Sequence, residues 1–123
     1  YTRLDYDRYK LLLQKSDIHF YFSRPFVASW SLLEAMSSGC CIVSSDLDMT
    51  REIGSSSLCY VNHLDYSAAV ATVSNLIERP ELRQSYSRKA RKRAQDYCHL
   101  RLLDELCPQL LGTGSRPPDK LAR

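Results

Sequence analysis

The apolar positions change period several times along this 123-residue chain, and each change marks an element. Tyr6, Tyr9, Leu12 and Leu13 recur at helical spacing among polar residues, which predicts an amphipathic helix over 5–15. A β-branched and aromatic run with little polar alternation follows at 18–22, the pattern of a strand covered on both faces, as in parallel sheets. Pro25 makes 23–29 a loop. Residues 30–38 read as a helix stopped by Gly39 at the usual position past the last turn. A second buried strand is expected over 40–43, then a loop with one or two helical turns over 46–53, capped by Asp48 or Thr50, then a third strand over 58–61.

Ala69, Val70, Val73, Leu76 and Ile77 share one face of a helix over 67–78, and Pro80 starts another. The apolar stripe of that second helix is Tyr86, Ala90, Ala94 and Tyr97. Arg83, Arg88, Lys89, Arg91, Lys92 and Arg93 fall mostly on the remaining arc and read as a solvated face. A last helix is expected over 100–111, interrupted or started anew near Pro108, and 112–123 is a polar Gly/Pro-rich tail expected to be disordered.

Strand, helix and strand in close succession make a right-handed βαβ unit, so the fold class is α/β: a Rossmann-like parallel sheet with flanking helices and a helical C-terminus. In such sheets the ligand crevice lies at the strand C-termini. Three strands are few for a stable parallel sheet, and the chain is expected to be part of a larger domain, with 1–111 its folded portion.

Composition narrows the class only a little. Hydrophobic residues make up 44% and charged residues 25%, which excludes disordered and collagenous classes. No apolar run approaches the roughly 20 residues needed to cross a bilayer, and no secretory leader is visible, so the chain is expected in the cytoplasm. The five cysteines lack disulfide or zinc spacing and suit small buried hydrophobes in a reducing compartment. No metal site is expected. A net charge of +3 is too mild to name a partner.

The candidate chemistry lies between Ser23 and Ser45. A helix beginning at Ser29, Trp30 and Ser31, just past a strand, offers unpaired backbone N–H groups and a positive dipole end to an anion such as a diphosphate. Glu34, one turn further in, is placed to hold sugar or ribose hydroxyls. Arg24, just past the strand, is a candidate phosphate partner. Each has a plainer reading: Ser31 and Glu34 have capping-box spacing, Ser29 can cap the helix itself, Trp30 opens an apolar helix as core residues do, and Arg24 can be simply exposed. His19, His63 and His99 form no motif, and His19 reads as a satisfied core or half-core residue.

Ser16-Asp17 before the first strand, Leu33-Glu34-Ala35-Met36 with Gly39 after it, and Arg51-Glu52-Ile53 beyond the second strand occur in one order at normal distances. Over about residues 5–97 the chain resembles the donor-binding C-terminal domain of retaining GT-B glycosyltransferases, in the family known as glycosyl transferases group 1. The resemblance implies that the chain is the C-terminal half of a donor domain. Such enzymes transfer a sugar from a nucleoside-diphosphate-sugar to a hydroxyl acceptor with retention, here as a hexosyltransferase, in settings such as polysaccharide biosynthesis. It implies no cofactor beyond the donor substrate and no required metal. The acceptor, a glycan, lipid or protein, and a basic phosphate clamp would belong to parts of the enzyme preceding Tyr1, so this chain alone is expected to transfer nothing and carries no assigned catalytic residue.

In that family two glutamates stand eight positions apart; the first approaches the donor sugar and the second binds the ribose. The second falls on Glu34 and the first on Phe26, which has no carboxylate and reads as pocket wall or packing rather than a direct ligand. The usual glycine-rich loop is replaced by Val27-Ala28-Ser29-Trp30, similar to a Pro-Phe-Val-x-Ser-Trp-Ser loop in a subgroup of bacterial multi-domain glycosyltransferases. Glu52 commonly helps close the site, against a plainer reading in which Arg51 and Glu52 form an ordinary exposed pair. The donor-binding set is therefore Arg24, Phe26, Ser29, Trp30, Ser31 and Glu34. The cluster Arg88, Lys89, Arg91, Lys92 and Arg93 supports an alternative, a basic interaction module at the inner face of an anionic membrane, with nucleic acid disfavoured for want of interleaved aromatics. A degenerate, non-catalytic GT-B domain is the other alternative.

Overall fold

A computed structural model describes residues 4–23 and 29–97. Their order is α1 (Tyr6–Lys15), β1 (Ile18–Tyr21), α2 (Trp30–Ser38), β2 (Cys41–Ser45), α3 (Asp48–Gly54), β3 (Cys59–Val61), α4 (Tyr66–Glu78) and α5 (Pro80–Ala94), with single 3-10 turns at Ser55–Ser57 and Gln95–Tyr97. The helix expected over 100–111, the tail 112–123, and Arg24 and Phe26 lie outside the described residues.

The three strands are parallel in the order β1-β2-β3, with Ile18 opposite Cys41 and Val43 opposite Cys59. The central strand β2 is buried from end to end. Its alternate residues face two cores. Ile42 joins Leu13, Tyr21, Leu32, Ala35 and Met36 on one face, while Cys41 and Val43 join Cys59, Val61 and Leu76 on the other. This two-sided burial is what βαβ crossovers produce. The edge strand β1 departs from the same expectation: Phe20 is half-exposed, while Ile18 packs against the second core.

The helices follow their sequence signals at the ends more closely than on their faces. Asp5 caps α1 by accepting from the Arg8 N–H at 2.9 Å. Leu13 alone is fully buried on that helix and Tyr9 packs beside it, whereas Tyr6 and Leu12, expected on the core face, lie in solvent. In α4 the expected face splits the same way, with Leu76 buried and Val70 and Ile77 exposed. Neither Asp48 nor Thr50 is the cap of α3: the cap position is Leu47, and Thr50 reaches back to it by accepting the Leu47 N–H at 3.2 Å while donating to the Ser45 carbonyl at 2.6 Å.

Helix α5 packs Leu82 and Tyr86 against the second core and Ala90 and Ala94 against the first. It therefore crosses from one face of the sheet to the other. The last four carbonyls of a helix lack intrahelical donors and present a negative dipole end, which cationic side chains can satisfy. Three arginines of α5 do so for three different helices. Arg83 donates to the Leu76 and Ile77 carbonyls of α4 at 2.6 and 2.8 Å. Arg91 donates to the Ser38 carbonyl of α2 at 3.0 Å. Arg93 donates to the Ile53 and Glu52 carbonyls of α3 at 2.9 and 3.0 Å. Arg83 and Arg93 are half-buried by these contacts, whereas Arg88, Lys89, Arg91 and Lys92 stay exposed, as expected of a solvated face.

Candidate functional site

The strand-to-helix junction is tied at both ends. Tyr21, buried at the end of β1, accepts the Ser29 N–H on its phenol oxygen at 3.1 Å. Ser29 has extended backbone angles and caps α2, its Oγ accepting the Ser31 N–H at 3.3 Å. The Ser31 hydroxyl then donates to the Ser29 Oγ at 3.0 Å. The cap is thus Ser29, and the Ser31–Glu34 capping box is not formed. The Ser31 amide, one of the donors expected to face an anion, is engaged by this local cap.

At its other end α2 stops because Gly39 takes the left-handed conformation, φ +81°, and returns its N–H to the Ala35 and Met36 carbonyls. Leu32, Ala35 and Met36 form the buried face, which fixes what faces outward. Trp30 points away from that core and is 74% exposed, so the core role expected from its position is replaced by a surface one.

Trp30 and Glu34, one turn apart, line a cavity of about 770 Å³ between α1, α2 and the end of α5. Tyr6, Tyr9 and Lys10 contribute from α1, and Arg91 and Tyr97 from the α5 side. Cavities of this size are typical of small-molecule sites. Glu34 is half-buried there. Burial raises the Tyr9 phenol above its ordinary value, and the negative charge of the nearby Glu34 carboxylate pushes the same way. Among the described residues no lysine, arginine or histidine forms an ion pair with Glu34.

Other expected residues fall elsewhere. The Arg51–Glu52 pair is not formed: Arg51 makes a two-point ion pair with Asp46 and lies 4.5 Å from the centroid of the Tyr60 ring, while the Glu52 carbonyl accepts from Arg93 and, at 3.2 Å, from the Tyr97 hydroxyl. His19 is half-buried in β1 and burial lowers its pKa, as suits a half-core residue. Cys40, Cys41 and Cys59 are free and buried, as expected for small hydrophobes. No described helix is long and apolar enough to cross a membrane.

Tyr9, Arg91 and Tyr97 are among the cavity residues that periodicity does not single out. Tyr9 and Tyr97 were legible only as members of apolar stripes and Arg91 only as part of a charge run, because the neighbours that make them cavity walls are supplied by other helices.

Two comparisons bear on what the site is for. Residues 1–93 match the family model for glycosyl transferases group 1. No curated protein matches the chain.

Proposed function

Since the chain belongs to the glycosyl transferases group 1 family, we propose that it forms the nucleotide-sugar donor site of a retaining hexosyltransferase. The observation that carries this reading is Glu34 facing the 770 Å³ cavity one turn inside the start of α2, beside the exposed Trp30. On this reading Glu34 accepts the ribose hydroxyls and Trp30 offers an aromatic wall. The diphosphate lies at the start of α2 near Ser29 and Ser31, displacing the Ser29 hydroxyl from the Ser31 amide, with Arg24 as a further phosphate partner and Phe26 as wall. Charge growing on the departing diphosphate is then met by oriented amides and a helix dipole, which need no reorganisation as the bond breaks. Acceptor binding is assigned to a separate domain, so the chain alone transfers no sugar, and no metal is required.

The test is a titration of the folded chain, and of a version extended upstream to include a phosphate clamp, with UDP, GDP and ADP. One of them is expected to bind, and Glu34→Ala to weaken it about tenfold or more while the fold survives. Absence of binding by both versions would overturn the reading.

The alternative, an anionic-membrane contact through Arg88, Lys89, Arg91, Lys92 and Arg93, has less support. Arg91 and Arg93 already serve helix ends, and Lys89 lies over the Tyr86 ring at 5.5 Å.

A further inference from the structure

We propose that the groove between α1, α2 and the end of α5 is the docking surface for this chain's own residues 98–107, whose leucines fill its α5 end.

Helix α1 lacks a partner for much of its apolar side. It has ten residues and fully buries only Leu13, with Tyr9 half-buried and Tyr6 65% exposed. A helix this short is marginal alone and depends on a packed face. Tyr6, Tyr9 and Leu13 all line the 770 Å³ cavity, so the apolar side of α1 looks into open space. Leu33 lines the same space from α2 and Ala94 from α5. Such a groove suits an amphipathic helix, which lays its apolar side into it.

The path of the chain leads to this groove. Gln95 and Tyr97 line the cavity, so residue 98 starts at its edge. That edge lies toward the C-terminal end of α2, where Arg91 donates to the Ser38 carbonyl at 3.0 Å. Trp30 opens the nine-residue α2 and so stands about 12 Å away, at the other end.

The sequence beyond Tyr97 has the pattern such a groove requires. Ahead of Pro108, Leu100, Leu103, Leu106 and Cys107 recur at helical spacing, with Arg101, Asp104 and Glu105 among them. Groove-binding helices are read through anchors at this spacing. Charge agrees with the pairing: Asp104 borders the leucine face, and Lys10 and Arg91 stand exposed on the groove walls. A second copy carries the same leucines, but the covalent link from Tyr97 makes the contact within one chain effectively far more concentrated. Anchors at the α5 end leave the Trp30 end open, so the contact does not rest on the donor-site reading.

NMR of the full chain with labelled leucine methyls tests this. Cross-relaxation is expected from the methyls of Leu100 and Leu103 to the Tyr9 ring and the Leu33 methyls, all distant in sequence, and within one chain. Its absence overturns the proposal. So does its appearance between labelled and unlabelled chains in a mixed sample, which would make a second copy the occupant. Replacing Leu100→Asp and Leu103→Asp together should speed amide exchange in α1 about tenfold or more, because charged anchors leave the groove. Unchanged exchange in α1 overturns the docking equally. The methyl measurement needs no substitution, so it decides where the double variant fails to fold. A chain that binds no nucleotide must still show these contacts, so the two readings fail separately.

Discussion

The guanidinium of Arg91 occupies the space where a side chain on Gly39 would stand: it donates to the neighbouring Ser38 carbonyl at 3.0 Å, and a Cβ on Gly39 would come within 2.8 Å of its Nη2. Gly39→Ala therefore carries two penalties, a left-handed backbone at φ +81° and a displaced arginine. A loss of about 1–3 kcal/mol in chemical denaturation is expected. The Gly39→Ala, Arg91→Ala double variant should lose less than the sum of the singles, because the steric part disappears with the arginine. Simple additivity would show that the two residues do not meet.

The three arginine contacts of α5 serve separate helices and should behave independently. Arg91 has one carbonyl partner and lies at the surface, so Arg91→Ala is expected to cost about 1 kcal/mol. Arg93 joins two carbonyls, Asp96 and the Tyr97 hydroxyl, and Arg93→Ala should cost about 2 kcal/mol. Arg83→Ala should add to either within about 0.5 kcal/mol. Denaturant titrations of singles and pairs check this.

Trp30 offers a sharp separation of stability from binding. At 74% exposure, Trp30→Ala should change unfolding free energy by no more than about 0.5 kcal/mol, against the 3–5 kcal/mol of a buried tryptophan. On the donor-site reading the same variant weakens nucleotide binding. Ser29→Ala, by contrast, should cost about 1 kcal/mol of stability through the lost helix cap.

That contrast shows what could be seen in the residues. The start and stop of α2 were legible because the chemistry is local: Ser29 bonds to Ser31, and Gly39 closes onto Ala35 and Met36. The choice between Ser29 and Ser31 as cap was not, since both hydroxyls fit the pattern and the Tyr21 phenol, eight residues away, fixes the junction. The outward turn of Trp30 followed from Leu32, Ala35 and Met36 taking the core face, which a nine-residue apolar helix leaves ambiguous. The carbonyl contacts of Arg91 and Arg93 are invisible to a local pattern because their partners stand forty and more residues upstream. For the site, Glu34 was legible as a carboxylate one turn into a helix, but Tyr9 became its neighbour only once α1 lay beside α2.

Alkaline stability should carry a signature of Tyr60. Its hydroxyl donates to the Thr50 carbonyl at 3.0 Å, and burial, reinforced by Asp46 and opposed by Arg51 and Arg93, pushes its pKa up to about 12. The folded value lies above the ordinary one of 10.0, so the neutral phenol favours the fold. This contribution is fully present below pH 10 and is lost as pH rises toward about 12. Tyr60→Phe should flatten the decline over that window, with a smaller residual slope from Tyr9 and Tyr86, whose phenols are also raised. An unchanged slope would place the titration elsewhere.

Helix α5 comes last among the described helices, yet it supplies the donors that finish α2, α3 and α4. During synthesis the carbonyls of Ser38, Glu52, Ile53, Leu76 and Ile77 stay turned to water until Arg83, Arg91 and Arg93 have been added. A ribosome stalled before α5 would hold a chain that can form these helices but lacks the donors that complete their ends. Those helix ends are therefore the part of the nascent chain that stays frayed longest, until α5 emerges.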